Sequence, residues 1–250
     1  MKVIIIAGGK GSRISEITKK IPKPMIKICK RPIIEHIINI YTSQNFKEFL
    51  VATGYKGNFI IKYFKKFEIK KNYYKLKSSN KIVKINFINT GKNTMTGGRL
   101  KLMEKFFDKK GENFMFTYGD GLANVNLNKL KKNHLQNKKI ATLTAVRPIS
   151  RYGVLDIKGS FVKTFQEKKP LKAGWINGGF FVFNSKIFKY IKNKMTVLES
   201  EPLEKLAKNR NLVAVKHYGF WHSIDTSRDK DYLENILKKN KKLPWLKKYD

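Results

Sequence analysis

One junction constrains this chain more than any other: Val3-Ile4-Ile5-Ile6-Ala7 runs directly into Gly8-Gly9-Lys10-Gly11-Ser12-Arg13. A β-branched apolar run bounded by glycine reads as a buried central strand. Three glycines in four positions then let the backbone approach a ligand closely and turn its N–H groups toward one point, the chemistry of a phosphate cradle. The loop is no Walker motif, because no Gly-Lys-Ser/Thr closes it. As a dinucleotide fingerprint it is incomplete, because Ile14 stands where the third glycine belongs. It ends instead in Arg13, whose fork suits phosphate oxygens. Ten residues on, Pro22-Lys23-Pro24 holds a second cation on a stiff, extended platform.

The rest of the chain alternates strands and helices. Pro32 and the apolar spacing after it predict a helix over residues 32–41, with His36 a structural helix residue. A strand over 49–55, a helix over 58–67 and a strand over 85–88 follow. This βαβ order predicts a parallel sheet with its sites at the carboxyl ends of the strands. Residues 68–84 are polar and lysine-rich and read as a surface excursion. Thr96 reads as the N-cap of a helix over 96–107, or, with Thr94 and Arg99, as part of a nucleotide clamp.

A buried strand over 114–118 then delivers Gly119-Asp120-Gly121, so the Asp120 carboxylate emerges at a strand's carboxyl end. A carboxylate facing a phosphate cradle calls for a metal, and Mg²⁺ is commonly held by one or two carboxylates plus phosphate oxygens. Beyond it, helices are expected over 127–135, 185–191 and 201–207, and strands over 140–146, 175–183 and 212–216. A hairpin is expected over 151–165. By themselves Glu167-Lys168 read as a solvated pair and Gly178-Gly179, after Asn177, as a bulge. Asp225 has two competing roles, helix capping and a second carboxylate for the metal, whereas Asp229 reads as a first-turn acid of the final helix.

Length and charge bound the function. The 250 residues suit one domain with a substantial core. The apolar N-terminal run is too short for a signal peptide or a membrane span. Cys29 has no partner for an internal disulfide, in keeping with a cytoplasmic protein, and reads as a small apolar filler. The net charge of +36 comes mostly from dispersed lysine, with arginine scarce. That pattern argues against a specific nucleic-acid partner and leaves only weak polyanion binding at low salt.

In sequence order, the glycine loop, PKPM at 22–25, TGGRL at 96–100, FTYGDG at 116–121, FQEK at 165–168, INGGFF at 176–181, EPL at 201–203, GFW at 219–221 and DTSRD at 225–229 span nearly the whole chain. With these motifs the chain resembles the sugar-1-phosphate nucleotidyltransferases, and within that family it is most similar to the branch that uses CTP. The resemblance implies an α/β, Rossmann-like fold: a mostly parallel central sheet flanked by helices, with a small antiparallel β portion in the sugar-binding half. One domain would cover 1–250, with 1–125 mainly nucleotide-binding, 126–237 mainly sugar-binding and 238–250 a basic, solvated tail.

The implied activity is Mg²⁺-dependent transfer from CTP to α-D-glucose 1-phosphate, giving CDP-glucose and pyrophosphate; UTP, dTTP or another sugar 1-phosphate are the alternatives. By the same resemblance, Ile6, Ala7, Gly8, Gly9, Lys10, Gly11, Ser12, Arg13, Lys23, Thr94, Arg99 and Gly119 would hold CTP. Glu167, Lys168, Asn177 and Gly178 would hold the sugar phosphate, and Asp120 and Asp225 would ligate Mg²⁺. The catalytic set is Arg13, Lys23, Asp120, Lys168 and Asp225. A homo-oligomer without a membrane partner is expected. Two departures stand out: Ser12 replaces the usual threonine, and the stretch between Phe67 and Ile85 is shorter than the family's.

Overall fold

The structure, a computed structural model of the chain, describes residues 1–76, 78–107, 111–148, 154–158, 160–166, 174–240 and 243–246; for 154–157, 165–166 and 239–240 it describes the backbone. The first half contains β1 (Val3–Ile6), α1 (Ser15–Thr18), the two-residue strands β2 (Lys27–Ile28) and β3 (Arg31–Pro32), and α2 (Ile33–Ser43). There follow β4 (Glu48–Thr53), α3 (Gly57–Lys65), β5 (Glu68–Lys70), β6 (Tyr73–Lys75), β7 (Ile82–Asn89) and α4 (Thr96–Lys101). The second half contains β8 (Asn113–Tyr118), β9 (Gly121–Ala123), α5 (Leu127–Asn137), β10 (Ala141–Val146), β11 (Val154–Lys158), β12 (Phe161–Gln166) and β13 (Ile176–Asn184). It ends with α6 (Glu201–Lys208), β14 (Leu212–His217), β15 (Trp221–Ser223) and α7 (Ser227–Asn240).

Nine of these strands form one sheet in the order β14-β10-β13-β8-β1-β4-β7-β6-β5. β1 lies between β4 and β8, parallel to both, and in this sheet only β6 and β13 run against the common direction. All four residues of β1 are buried, as an apolar strand covered on both faces must be. Val3 and Ile5 join the core beneath α2, α3 and α7, while Ile4 and Ile6 join the core beneath α4 and α6. Fully burying each such isoleucine contributes roughly 1.5–3 kcal/mol. The expected antiparallel portion is present as the β11–β12 hairpin.

Three expectations are overturned. Residues 68–84 are more than an excursion, because β5 and β6 extend the sheet edge beyond β7 and bury Tyr74 and Leu76. Asn39 of α2 donates to Ser78 Oγ at 2.6 Å and Lys81 donates to the Thr42 carbonyl at 2.9 Å, so polar contacts seat this segment. The tail beyond 238 is not wholly solvated surface. α7 continues to Asn240, and Trp245 is 1 % exposed, edge-on to His36 with ring centroids 5.1 Å apart. Cys29 is no core filler: it is exposed at the β2–β3 turn, where Cys29 and Lys30 both have positive φ (48° and 65°). His36 is a buried helix residue as expected, its Nε2 2.9 Å from the Ile28 carbonyl oxygen.

Candidate active site

The loop after β1 and the loop after β8 emerge side by side, because the two strands pair in parallel register with Ile6 opposite Tyr118. Gly119 sits where they meet. A β-carbon there would stand 2.9 Å from the Ile6 carbonyl oxygen and 3.1 Å from Pro24 Cγ, so the packing of PKPM against β1 needs a residue without one. Gly11 takes the left-handed conformation (φ 65°) and turns the loop into the short helix that carries Arg13.

Asp225 arrives from the other end of the chain. β15 pairs antiparallel with β9, Ser223 opposite Gly121, and the Ile224 amide donates to the Asp120 carbonyl at 3.0 Å. That small ladder sets the residues following Ser223 beside the residue preceding Gly121. Lys23 Nζ then bonds both carboxylates, at 2.7 Å to Asp120 Oδ2 and 2.8 Å to Asp225 Oδ1, and Arg13 Nη1 lies 3.2 Å from the same Asp225 oxygen. Burial on its own would lower the Lys23 pKa, but the charge of Asp120 and the bonds to both acids outweigh it and raise the value. For Asp225 burial pushes upward, and Lys23, Arg13 and the Ser223 hydroxyl bring the carboxyl below its ordinary value.

The two roles open for Asp225 are thereby separated. Helix capping falls to Thr226 and Asp229. Asp229 Oδ2 accepts from the Thr226 amide at 2.7 Å and from the Asp225 amide at 2.9 Å, a capping box at the start of α7. His222 Nε2 lies 3.2 Å from the other Asp229 oxygen. With the cap supplied elsewhere, the Asp225 carboxylate turns toward Lys23.

These groups line one cavity of about 640 Å³. Ile6, Ala7, Gly9, Gly11, Ser12, Arg13, Lys23, Gly119, Asp120, Asn177, Gly178 and Asp225, all singled out in the sequence, are on its wall. Lys10 is exposed outside the lining, and Gly8 lies behind it. Glu167 and Lys168 lie outside the described residues.

Arg99 and Thr94 differ from expectation. Arg99 is 3 % exposed and does not face the cavity. Its guanidinium donates to the carbonyls of Gly8 (2.8 Å), Gly91 (2.9 Å) and Thr53 (3.4 Å) and to the Thr90 hydroxyl. It therefore ties together the ends of β1, β4 and β7. A β-carbon on Gly8 would come within 2.1 Å of Arg99 Nη1, which fixes glycine at that position. Thr94 donates to the Thr90 carbonyl at 2.5 Å and serves the same frame.

Thr96 is not an N-cap either. The cap position is Met95, with no side-chain cap bond. Thr96 Oγ1 donates instead to Glu199 Oε2 at 2.6 Å and accepts from the Leu198 amide at 2.9 Å. Glu199 and Trp221 are wall residues to which sequence reasoning gave no role. The Trp221 indole donates to the Gly178 carbonyl at 2.7 Å. Trp221 belongs to the GFW motif, so a signal for it was present. For Glu199 there was none, because Ser200-Glu201-Pro202 after it reads as an ordinary helix start.

The arrangement can hold a polyanion against a glycine loop and two cations, and it can share one cation between two carboxylates. Comparison with known proteins places the chain in a family. The nucleotidyl transferase family model matches residues 2–238. Glucose-1-phosphate cytidylyltransferase of Salmonella typhimurium is 41 % identical over 257 residues, covering 98 % of each chain. The probable glucose-1-phosphate cytidylyltransferase of Bacillus subtilis is 42 % identical over 251 residues, covering 96 % of this chain and 95 % of its own. Among solved structures, HddC from Yersinia pseudotuberculosis superposes with a TM-score of 0.72 at 23 % identity, over 94 % of this chain and 99 % of its own. UDP-glucose pyrophosphorylase complexed with UDP-glucose gives 0.72 at 17 %, over 95 % and 98 %. These last two establish the shared fold.

Proposed function

Because this chain belongs to the nucleotidyl transferase family, we propose that it transfers a cytidylyl group from CTP to α-D-glucose 1-phosphate, releasing CDP-glucose and pyrophosphate. The observation that carries the reading is the meeting of Lys23, Asp120 and Asp225 opposite the Gly9–Gly11 loop. The base and the sugar follow from relatives above 40 % identity along almost the full chain.

In this reaction a phosphate oxygen of the sugar attacks the α-phosphorus of CTP as the bond to the bridging oxygen breaks, and pyrophosphate carries off the electron pair. The sugar phosphate is already anionic near neutral pH, so no general base is needed. The protein's work is alignment and charge compensation. The loop amides and Arg13 take the triphosphate, and Lys23 steadies negative charge passing to the leaving group. By the resemblance, Lys168 and Glu167 hold the sugar phosphate and its hydroxyls, beside Asn177 and Gly178.

Asp120 and Asp225 suit Mg²⁺. They are hard oxygen donors whose carboxylates already share a single cationic group, the arrangement a divalent ion with few protein ligands uses. Within the chain, two acids and two bases cancel at this pole, so the charge of an incoming triphosphate calls for an added cation. Bound there, Mg²⁺ would supply electrostatic stabilisation of the phosphate oxygens. The reading extends to a homo-oligomer working in the cytoplasm. No described helix is long and apolar enough to cross a membrane.

A pyrophosphate-release assay tests the proposal, using purified protein, Mg²⁺ and glucose 1-phosphate with CTP, UTP, dTTP or GTP in turn. Release is expected with CTP in preference to the others. A preference for another nucleotide would overturn the base assignment, and silence with all four would overturn the transfer itself.

A further inference from the structure

Glu199 is a carboxylate on the wall of the cavity that neither of the cavity's cations touches. Lys23 and Arg13, the cationic residues of the wall among those described, are bonded to Asp120 and Asp225. Among the described residues the donors to Glu199 are hydroxyls: Tyr118 Oη donates to Oε1, and Thr96 Oγ1 donates to Oε2 at 2.6 Å. The two donors come from the end of β8 and the first residue of α4, and Glu199 itself from the loop before α6. Burial, and after it the charge of Glu199, hold the Tyr118 phenol above its ordinary pKa, so that group stays a donor. Glu199 is nonetheless exposed.

A carboxylate offers about four lone-pair directions, and two hydroxyls occupy about half of them. The remainder open onto the cavity. Among the described residues no cation touches Glu199, and a carboxylate so placed repels a phosphate. An uncharged donor is what such a group accepts, and a substrate of this cavity has one kind in abundance: sugar hydroxyls. Asn177 and Gly178, beside Tyr118 on the same wall, complete the polar patch, and Trp221 anchors it through the Gly178 carbonyl.

We propose that Glu199 is a specificity-determining residue that accepts hydrogen bonds from the hydroxyls of the bound substrate, those of the hexose or of the ribose, while Tyr118 and Thr96 fix its carboxylate in place. The inference rests on the sugar-nucleotide reading above and assigns a residue to the hydroxyl end of the same cavity. A hydrogen bond to a charged group contributes about 1.5–3 kcal/mol, which corresponds to roughly a 10- to 100-fold change in affinity.

The test compares the wild type with Glu199→Gln and, as a charge-retaining control, Glu199→Asp. Steady-state constants are measured for glucose 1-phosphate and CTP, and again for deoxy-glucose 1-phosphates and dCTP, alongside calorimetric binding of each substrate and a thermal melt. Glu199→Gln is expected to raise KM and the dissociation constant for glucose 1-phosphate at least ~10-fold and to shrink the preference for the sugar over its deoxy analogue. Glu199→Asp is expected to fall between the two. If the CTP constants and the preference for CTP over dCTP move instead, the hydroxyls are those of the ribose, and the assignment of Glu199 as their acceptor stands. Unchanged preferences for both substrates, whether or not kcat falls, would overturn it and leave Glu199 a tie between β8 and α4. A wild type that releases no pyrophosphate yet binds glucose 1-phosphate would sink the transferase reading while the binding comparison still decides the role of Glu199.

Discussion

At one end of the cavity, Asp120 and Asp225 are held by an ammonium and a guanidinium; at the other, Glu199 is held by two neutral hydroxyls. The two ends use the same functional group for opposite work. In the ionic end each charge depends on its neighbours, so removing one strands the rest in a half-buried place. In the hydroxyl end the carboxylate is held by neutral donors, and the role proposed for its remaining lone pairs is selection. Chemistry should therefore fail at the first end, and discrimination at the second.

The largest expected effect breaks the ionic end. Lys23→Ala or Asp120→Asn should lower turnover at least ~100-fold, the usual cost of losing a preorganised electrostatic contact. Near-normal turnover in either purified variant would remove that residue from the catalytic set. The next test reaches behind the cavity wall. Arg99→Met leaves the carbonyls of Gly8, Gly91 and Thr53 without their buried donor and should reduce unfolding free energy by about 2–4 kcal/mol in urea titration. Its effect on kcat should be much smaller than that of Lys23→Ala. A large kcat loss with unchanged stability would put the guanidinium back on the ligand.

The smallest effect concerns Asp229, which sets the position of Asp225. Burial would raise its pKa, but His222, the Asp225 and Thr226 amides and the Thr226 hydroxyl bring it well below the ordinary carboxyl range. A depressed folded-state pKa contributes stability above the unfolded value of roughly 3.9 and loses it as pH falls through the folded value. Asp229→Asn should thus cost about 1 kcal/mol at pH 7, a typical cap contribution. The gap between the two unfolding curves should narrow in acid below pH ~4. A gap that widens in acid would contradict the capping role.

Much of the ionic end was legible in the sequence because its signals are local. A glycine loop after an apolar strand, a proline-braced lysine and an acid between glycines at a strand end each carry their geometry within a few residues. The direction of Arg99 was not legible. TGGRL places an arginine one turn into a helix, but whether that turn faces a ligand or three strand ends depends on Gly8, Thr53 and Gly91, remote in the chain. The edge strands β5 and β6 escaped notice because lysines dilute their alternation, leaving Tyr74 as the residue they bury. Trp245 was hidden by the charge around it, and the turn at Cys29 by a residue that rarely adopts positive φ. Glu199 has no local pattern at all; its place is made by a hydroxyl from β8 and another from α4.

The ladder between β9 and β15 has a consequence for how the protein is made. Lys23 and Asp120 leave the ribosome long before Asp225, and with translation at about 5–20 residues per second the wait lasts on the order of ten seconds. During that interval the nascent polypeptide carries an ammonium with only one of its two acids, and β9 has no strand to zip against. The register of Gly121 with Ser223 can form only once β15 has emerged, so a chain ending before it lacks both that ladder and the Asp225 carboxylate that Lys23 holds.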